Sequence, residues 1–239
     1  MDKNYLKNDC YTIEVVKQAE QLANEFYNGS FKPKLLKRGN HKLPKNVACW
    51  DLPCRVTCKY NCPNCYALKA EKQYKNTLIM RAYHYEMVKQ ALQNSSKYDF
   101  FMDYILQEFD RHIEYCNKKG LVPICRIHAS GDIFSKEYLE LLLELVNLLP
   151  DINFYTYTKQ LDNRTIDKLN KINNLNIVKS IVEVNGKNCI NYGSLDYIAK
   201  LSKELDNSFI CGYGIDNTQK CMVNCNACLH CPHVLFKQH

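Results

Sequence analysis

Two clusters of cysteine constrain this chain more than any other feature. The first reads Cys54-x3-Cys58-x3-Cys62-x2-Cys65. The second reads Cys221-x3-Cys225-x2-Cys228-x2-Cys231, is followed at once by Pro232, and has Cys211 ten residues upstream. Isolated thiols such as Cys10, Cys116 and Cys189 are read as small buried hydrophobes. Four cysteines within twelve residues of polar, proline-containing loop are not. A fold carrying both clusters has to aim several sulfurs of each loop at one inorganic core.

Spacing decides which core. Cys58-x3-Cys62-x2-Cys65 makes a three-thiolate loop that can wrap one face of a cubane and leave the fourth iron without a protein ligand. Cys225-x2-Cys228-x2-Cys231-Pro232 has the spacing of bacterial ferredoxins, with the remaining gap on the other side. Zinc is the alternative. It needs four sulfurs at about 2.3 Å from one ion, usually from two short Cys turns separated by a longer excursion. Neither cluster contains such an excursion, although Cys62, Cys65, Cys228 and Cys231 could build a composite site if the fold joined the two ends. The spacing therefore favours one or two [4Fe–4S] clusters, with Cys54 as a possible fourth ligand of the first and Cys211 as a substitute in the second.

The compartment matters to this reading, because 14 cysteines in a secreted chain would first imply disulfides. The segment Met1–Lys7 lacks the apolar stretch of a secretory signal. The longest apolar run, Tyr138 to Leu149, still contains Glu140 and Glu144, so no membrane partner is expected. A reducing cytoplasm is the expected location. The formal charge of +7 counts every thiol as neutral, and one three-thiolate and one four-thiolate cubane would bring it to about +4. The basic balance is thus weak evidence for a nucleic-acid partner. The segment Phe31–Asn46 concentrates six Lys or Arg, His41 and no acid. It reads as a solvated loop, with phosphate or nucleic-acid binding as the functional alternative.

Patterning divides the chain into three regions. Residues 1–46 hold an amphipathic helix over Tyr11–Tyr27, stopped near Gly29, and then the basic loop. Residues 47–210 follow the first cluster with helices at Ala67–Tyr74, Leu78–Gln93 and Tyr98–Lys119, the last capped by Ser95 or Ser96. Strands and helices then alternate: strands at Leu121–Ala129, Ile152–Thr158, Asn176–Val184 and Ser208–Tyr213, with Val47–Trp50 as a candidate fifth. The intervening helices are a Ser135-capped one reaching Leu149, Asn163–Ile172, and Leu195–Leu205 capped by Ser194. Short connections between alternating strands and helices imply parallel strands with right-handed crossovers. The expected fold class is α/β, a partial, open β/α barrel with N-terminal helices. Residues 211–239 form a Cys-rich C-terminal tail.

On the strand Leu121–Ala129, period-2 alternation puts Val122, Ile124, Arg126 and His128 on one face. Arg126 and His128 there could hold the carboxylate of a substrate or cofactor. The alternative is a buried ion pair and a hydrogen-bonded core histidine.

Cys58-Lys-Tyr-Asn-Cys62-Pro-Asn-Cys65 resembles the Cys-x3-Cys-x2-Cys signature of radical SAM enzymes. A longer set resembles phage proteins of the gene product 88 family. It comprises the loop ending Cys65-Tyr66-Ala67, Arg126-Ile-His128-Ala-Ser130-Gly131-Asp132-Ile-Phe134, Phe154-Tyr-Thr-Tyr157-Thr158-Lys159, and a Cys-rich tail. The radical SAM resemblance implies a cluster on three cysteines whose free iron chelates S-adenosylmethionine, and an external electron donor. It also implies that Ser130-Gly131-Asp132 takes the place of the Gly-Gly-Glu turn, with Gly131 allowing close backbone approach and Asp132 accepting from the cofactor amino group. The substrate stays open. So does a non-enzymatic alternative, a zinc- or cluster-stabilised protein that binds a partner or nucleic acid.

Overall fold

The structure is a computed structural model. It describes residues 3–40, 42–60, 62, 65–184, 187–190, 192–193, 195–205, 208–211, 226–231 and 233–237. Five strands form its main sheet in chain order: β1 (Lys37–Arg38), β2 (Val47–Trp50), β3 (Ile124–Ile127), β4 (Asn153–Thr158) and β5 (Leu175–Lys179). β1 lies antiparallel to β2, and β2 to β5 run parallel, with Val47 opposite Ile124, Ile124 opposite Asn153 and Phe154 opposite Leu175.

A sheet whose spatial order repeats its chain order, joined by crossovers of one hand, collects its helices on one face. α1 (Ile13–Tyr27) precedes the sheet. α2 (Tyr66–Gln73), α3 (Lys75–Gln93) and α4 (Ser95–Asn117) connect β2 to β3, while α5 (Lys136–Leu148) and α6 (Asn163–Leu169) make the next two crossovers. Strand alternation sorts the side chains to match. Ala48, Trp50, Cys125, Ile127, Phe154 and Ile177 enter the large core shared with these helices. Val47, Cys49, Ile124 and Tyr155 face the other way, toward Leu43, Cys228 and Leu229. Trp50 ties the layers together: its ring stacks on His84 of α3 at 4.4 Å and its Nε1 donates to the Tyr138 hydroxyl of α5 at 2.9 Å.

The helix starts follow side-chain capping. Thr12 accepts from the Val15 N–H, Ser135 from Tyr138 and Asp162 from Thr165. For α4 the cap is Asn94, accepting from Lys97 N–H at 3.0 Å, so Ser95 and Ser96 belong to the first turn and do not cap.

Three strand expectations need correction. The strand expected over Leu121–Ala129 shortens to four residues, because Pro123 has no N–H to pair and Leu121 and Val122 are exposed. The run Asn176–Val184 breaks after Lys179, and β6 (Ile181–Val184) pairs instead with β7 (Lys187–Ile190) as an antiparallel hairpin. Ser208–Tyr213 does not join the main sheet. β9 (Ser208–Ile210) pairs parallel with β10 (His233–Lys237), which also pairs with β8 (Tyr192–Gly193) in the order β8-β10-β9. This small sheet lies between two apolar layers. Val234 packs with Val178 of β5, while Leu235 packs with Ile198 and Leu201 of α7 (Leu195–Glu204). Ser194, expected to cap α7, and Tyr213 lie outside the described residues.

The basic segment Phe31–Asn46 is also more anchored than a solvated loop. It contributes β1, buries Leu35, Leu36 and Leu43, and stacks the Arg38 guanidinium 4.5 Å over the Tyr115 ring. Among the described residues no helix is long and apolar enough to cross a membrane.

Candidate functional site

At the C-terminal edge of the parallel strands, the chain leaving β2 turns into the first cysteine loop and is fastened to the chain leaving β3. His128 N–H donates to Trp50 O at 2.8 Å, Leu52 N–H to Ser130 O at 2.9 Å, and Ser130 N–H to Asp51 Oδ1 at 3.1 Å. Gly131 makes this approach possible. Its φ is +90°, and a Cβ there would meet Leu52 Cβ at 2.7 Å and Thr57 Oγ1 at 2.8 Å. Asp132 N–H donates to Thr57 Oγ1 at 3.2 Å. Its carboxylate accepts from the Thr158 hydroxyl at 2.6 Å, Lys159 N–H at 3.0 Å and Ile133 N–H at 2.8 Å. Burial raises the Asp132 pKa, and these donors pull it back. Ser130, Gly131 and Asp132 thus form a clasp between three strand ends. The Ser130 hydroxyl is buried in it without a partner among the described residues, and both Asp132 oxygens are occupied by the chain's own donors.

The thiols sit in unequal surroundings. Cys54 is buried, and its Sγ donates to Glu71 Oε2 at 3.1 Å while its N–H donates to Glu71 Oε1 at 3.0 Å. Glu71 also accepts from Asn8 Nδ2 at 2.9 Å and pairs with Arg81 Nη1 at 3.1 Å. The adjacent Cys65 sulfur, burial and the Glu71 charge hold the Cys54 pKa far above the usual thiol range. The adjacent Cys54 thiol, joined by the N–H groups of Leu68 and Ala67 in the first turn of α2, brings Cys65 down to about 6. Cys58 is pushed up to about 12, by burial first and by the Asp132 charge second. Cys62 is half-buried, and its carbonyl accepts from Arg55 Nη2 at 3.5 Å.

The opposite face of the sheet meets the tail. The 3-10 turn Ala227–Leu229 lies against β4 and β5, and Asn176 Nδ2 donates to Cys228 O at 2.8 Å and Cys231 O at 3.1 Å. The Tyr157 hydroxyl is 2.6 Å from Cys228 Sγ. Cys211, Cys228 and Cys231 share one apolar cluster with Val178, Val234 and Tyr157. Cys221 and Cys225 lie outside the described residues. Among the described residues, no three His, Cys, Asp or Glu side chains gather closely enough to hold a single metal ion. Neither Cys58, Cys62 and Cys65 nor the set Cys62, Cys65, Cys228 and Cys231 is therefore gathered around one ion position.

Arg126 stands between the two cysteine regions. Its guanidinium lies 5.3 Å from the Tyr157 ring centroid, and its Nη2 is 3.5 Å from the Tyr66 hydroxyl, which donates to Ala129 O. Its Nε is buried without a partner, and no carboxylate pairs with it among the described residues. The expected grouping of Arg126 with His128 on one face is corrected. His128 lies past the end of β3 in the left-handed region, φ 64°, which turns its ring into the helix-side core against Tyr138, Nε2 to hydroxyl 2.7 Å. It is there the hydrogen-bonded core histidine, kept neutral by burial at a pKa of about 3.

Sequence reasoning missed Glu71, Thr57 and Tyr66. Glu71 had a signal: it falls four residues after Ala67 on the same helix, so both side chains share the buried face. Thr57 and Tyr66 act through contacts with the distant Asp132 and Ala129, which no local pattern reveals. A family model described as Gene product 88 matches residues 34–238. Comparison with curated proteins and with solved structures returns no match.

Proposed function

The chain belongs to the gene product 88 family, and from that premise we propose that it is a radical-SAM-like iron–sulfur enzyme whose Cys58, Cys62 and Cys65 hold a [4Fe–4S] cluster. The observation that carries this reading is the engagement of Cys54. Its S–H donates to the buried Glu71 carboxylate, which supports Cys58, Cys62 and Cys65 as the three ligands of a cluster with one open iron. With S-adenosylmethionine on that iron, such a cluster supplies reductive cleavage of the sulfonium and radical chemistry on a bound substrate.

The chain's own residues suit that task. Cys65, at a helix N-terminus, already favours the thiolate that a cluster iron requires, and a bound cation would reverse the upward shift at Cys58. The loop lies at the C-terminal edge of sequentially wound parallel strands, the edge where barrels place their chemistry, and this supports the partial barrel. Asp132 acts here by positioning: it orders the β4 end and, through Thr57, the loop. Gly131 admits the loop backbone. Arg126, a cation boxed by tyrosines without an acid, is suited to the carboxylate of substrate or cofactor. In the tail, Cys221, Cys225, Cys228 and Cys231 would hold a second cluster, with Cys211 as a substitute for one of them. Cys228 and Cys231 lie beside Tyr157, and a cluster held there would be the group that an external electron donor serves.

The test is anaerobic purification with iron, sulfide and zinc analysis, followed by reduction in the presence of S-adenosylmethionine. Brown protein that releases deoxyadenosine and methionine is the expected result. Colourless protein with stoichiometric zinc overturns it in favour of a metal-stabilised binding protein, and brown protein without cleavage leaves a redox protein instead.

A further inference from the structure

Arg126 lies on β3, between β2 and β4, on the face it shares with its register neighbours Cys49 and Tyr155. A cation in the middle of a sheet is costly unless an anion answers it. Among the described residues no acid does. The titratable groups that act most strongly on Arg126 are Tyr66, Tyr155, Tyr157 and Cys49. These are phenols and a thiol, uncharged at neutral pH. Asp51, two residues beyond Cys49, is held by Ser130 N–H at 3.1 Å and faces Arg81 at 3.8 Å.

The accessible part of the side chain is its end. Nε is enclosed, so the terminal nitrogens are the ones that can meet a ligand. Of these, Nη2 makes one long contact, 3.5 Å to the Tyr66 hydroxyl, and that hydroxyl already donates to Ala129 O. Arg126 as a whole is half-buried, and Tyr66 beside it is 63% exposed, so solvent reaches this corner past the Tyr66 ring.

Two properties define what the corner would take. The charge is single. One guanidinium offers a planar fork with one positive charge, the match of a carboxylate. The other arginine that acts on Tyr66 is Arg81, and it is already paired with Glu71 and Asp51. A phosphate group, by contrast, is usually met by several donors at once. The surroundings are also aromatic. The Tyr157 ring lies 5.3 Å from the guanidinium, and its hydroxyl is engaged with Cys228 Sγ as that of Tyr66 is with Ala129. Beyond the fork, therefore, the tyrosines present ring surface, which suits a flat apolar body.

We propose that the substrate is an organic carboxylate with a flat apolar body next to its carboxyl group. The carboxylate lies on the terminal nitrogens of Arg126 and the flat part lies against the Tyr66 ring. The role of substrate rests on the cluster reading above. An open iron chelates an amino-acid end through its amine and carboxylate, so the carboxylate of S-adenosylmethionine is engaged there and Arg126 is left to the substrate. Binding at Arg126 itself needs no metal.

Calorimetric titration of the full chain, purified anaerobically, with benzoate, benzamide, acetate and inorganic phosphate tests this. Benzoate should bind saturably, and about tenfold or more tightly than benzamide, which lacks the charge, or acetate, which lacks the ring. Arg126→Gln should abolish benzoate binding. Arg126→Lys keeps the charge and loses the fork, so its affinity should fall between the two. Arg126→Gln removes an unanswered charge and should melt no lower than the parent, which separates lost binding from lost folding. Should it fail to fold, the Arg126→Lys result decides. Absence of saturable benzoate binding to about 10 mM overturns the site. So does benzamide binding as tightly as benzoate, or benzoate affinity that both Arg126 variants leave unchanged. Phosphate binding more tightly than benzoate overturns the carboxylate class. In the cluster-loaded chain, Arg126→Gln should leave the affinity for S-adenosylmethionine within about threefold, and a loss of about tenfold or more gives Arg126 to the cofactor and overturns the proposal. Protein that releases deoxyadenosine yet ignores benzoate keeps the cluster reading and loses this one. Benzoate binding by colourless protein keeps the carboxylate site and loses the cluster.

Discussion

Cys54 Sγ lies 3.1 Å from Glu71 Oε2, and the same carboxylate accepts the Cys54 N–H at 3.0 Å through its other oxygen. One side chain thus holds a thiol and its backbone together, and Arg81 and Asn8 complete its bonding at 3.1 and 2.9 Å. Glu71→Ala would leave the buried Arg81 guanidinium with the Ala67 carbonyl at 3.1 Å and, among the described residues, only the more distant Asp51 as a countercharge, 3.8 Å away. Breaking a buried pair in this way costs about 3–5 kcal/mol. Urea denaturation should show a midpoint lowered accordingly. An unchanged midpoint would mean that the network contributes nothing to the fold.

The same pair separates Cys54 from its neighbours in the loop. With Cys58, Cys62 and Cys65 as the ligands, Cys58→Ala, Cys62→Ala or Cys65→Ala should each strip most of the iron bound by this loop. Cys54→Ala should retain that iron, while losing some stability through the emptied space and the lost thiol bond to Glu71 Oε2. Iron and sulfide analysis of the four variants reads this out. Iron lost equally in all four would make Cys54 a fourth ligand and close the cluster.

Gly131→Ala should be among the more damaging single-methyl changes in the chain. The residue would be held at φ +90° with its Cβ inside contact distance of Leu52 and Thr57. Strain of about 1–3 kcal/mol adds to a similar overpacking cost. Thermal unfolding should occur at distinctly lower temperature. Because Leu52 and Thr57 flank Cys54, iron content should fall as well. A variant of parental stability would show that the clasp can open without cost.

Two buried histidines give the pH dependence a sign. Burial depresses His84 to about 4 and His128 to about 3, from an ordinary value of about 6.5. Above pH 6.5 both are neutral folded or unfolded and their contribution is level. Below it the unfolded chain takes up protons that the folded one refuses, so stability falls as pH drops toward 4. Each contributes a loss of about 1.4 kcal/mol per pH unit, or about 2 kcal/mol at pH 5. Asp132 and Glu86, raised by burial, oppose this trend near pH 4. Urea midpoints at pH 7 and pH 5 should differ clearly. His128→Gln should reduce the difference, and equal midpoints in the parent chain would mean that the rings are protonated in place.

Much of the main body was legible because it rests on local periodicity. The apolar spacing in Ile13–Tyr27 and Lys136–Leu148 and the caps Ser135 and Pro150 define helices without reference to anything distant. The alternation in Asn153–Thr158 likewise defines a strand. Where a residue's role comes from a remote partner, the local pattern misleads. Ser208–Ile210 reads as one more crossover strand, yet it pairs with His233–Lys237, whose apolar run is too short and too close to the cysteines to stand out. His128 keeps strand parity in sequence and loses it in space through one positive φ. At the site, the cysteine spacing drew attention to the right loop. It could not show that a glutamate six residues beyond the last cysteine would treat Cys54 differently from the other three.

The order β8-β10-β9 gives the last described strand the central place, with parallel neighbours that both precede it in the chain. During synthesis these neighbours must wait unpaired until residues beyond 233 have left the ribosome. Through that interval the bare side of the main sheet, with Tyr157 and Val178, faces water or a chaperone. The covering of this face is therefore among the last steps of folding, set by the strand that emerges last.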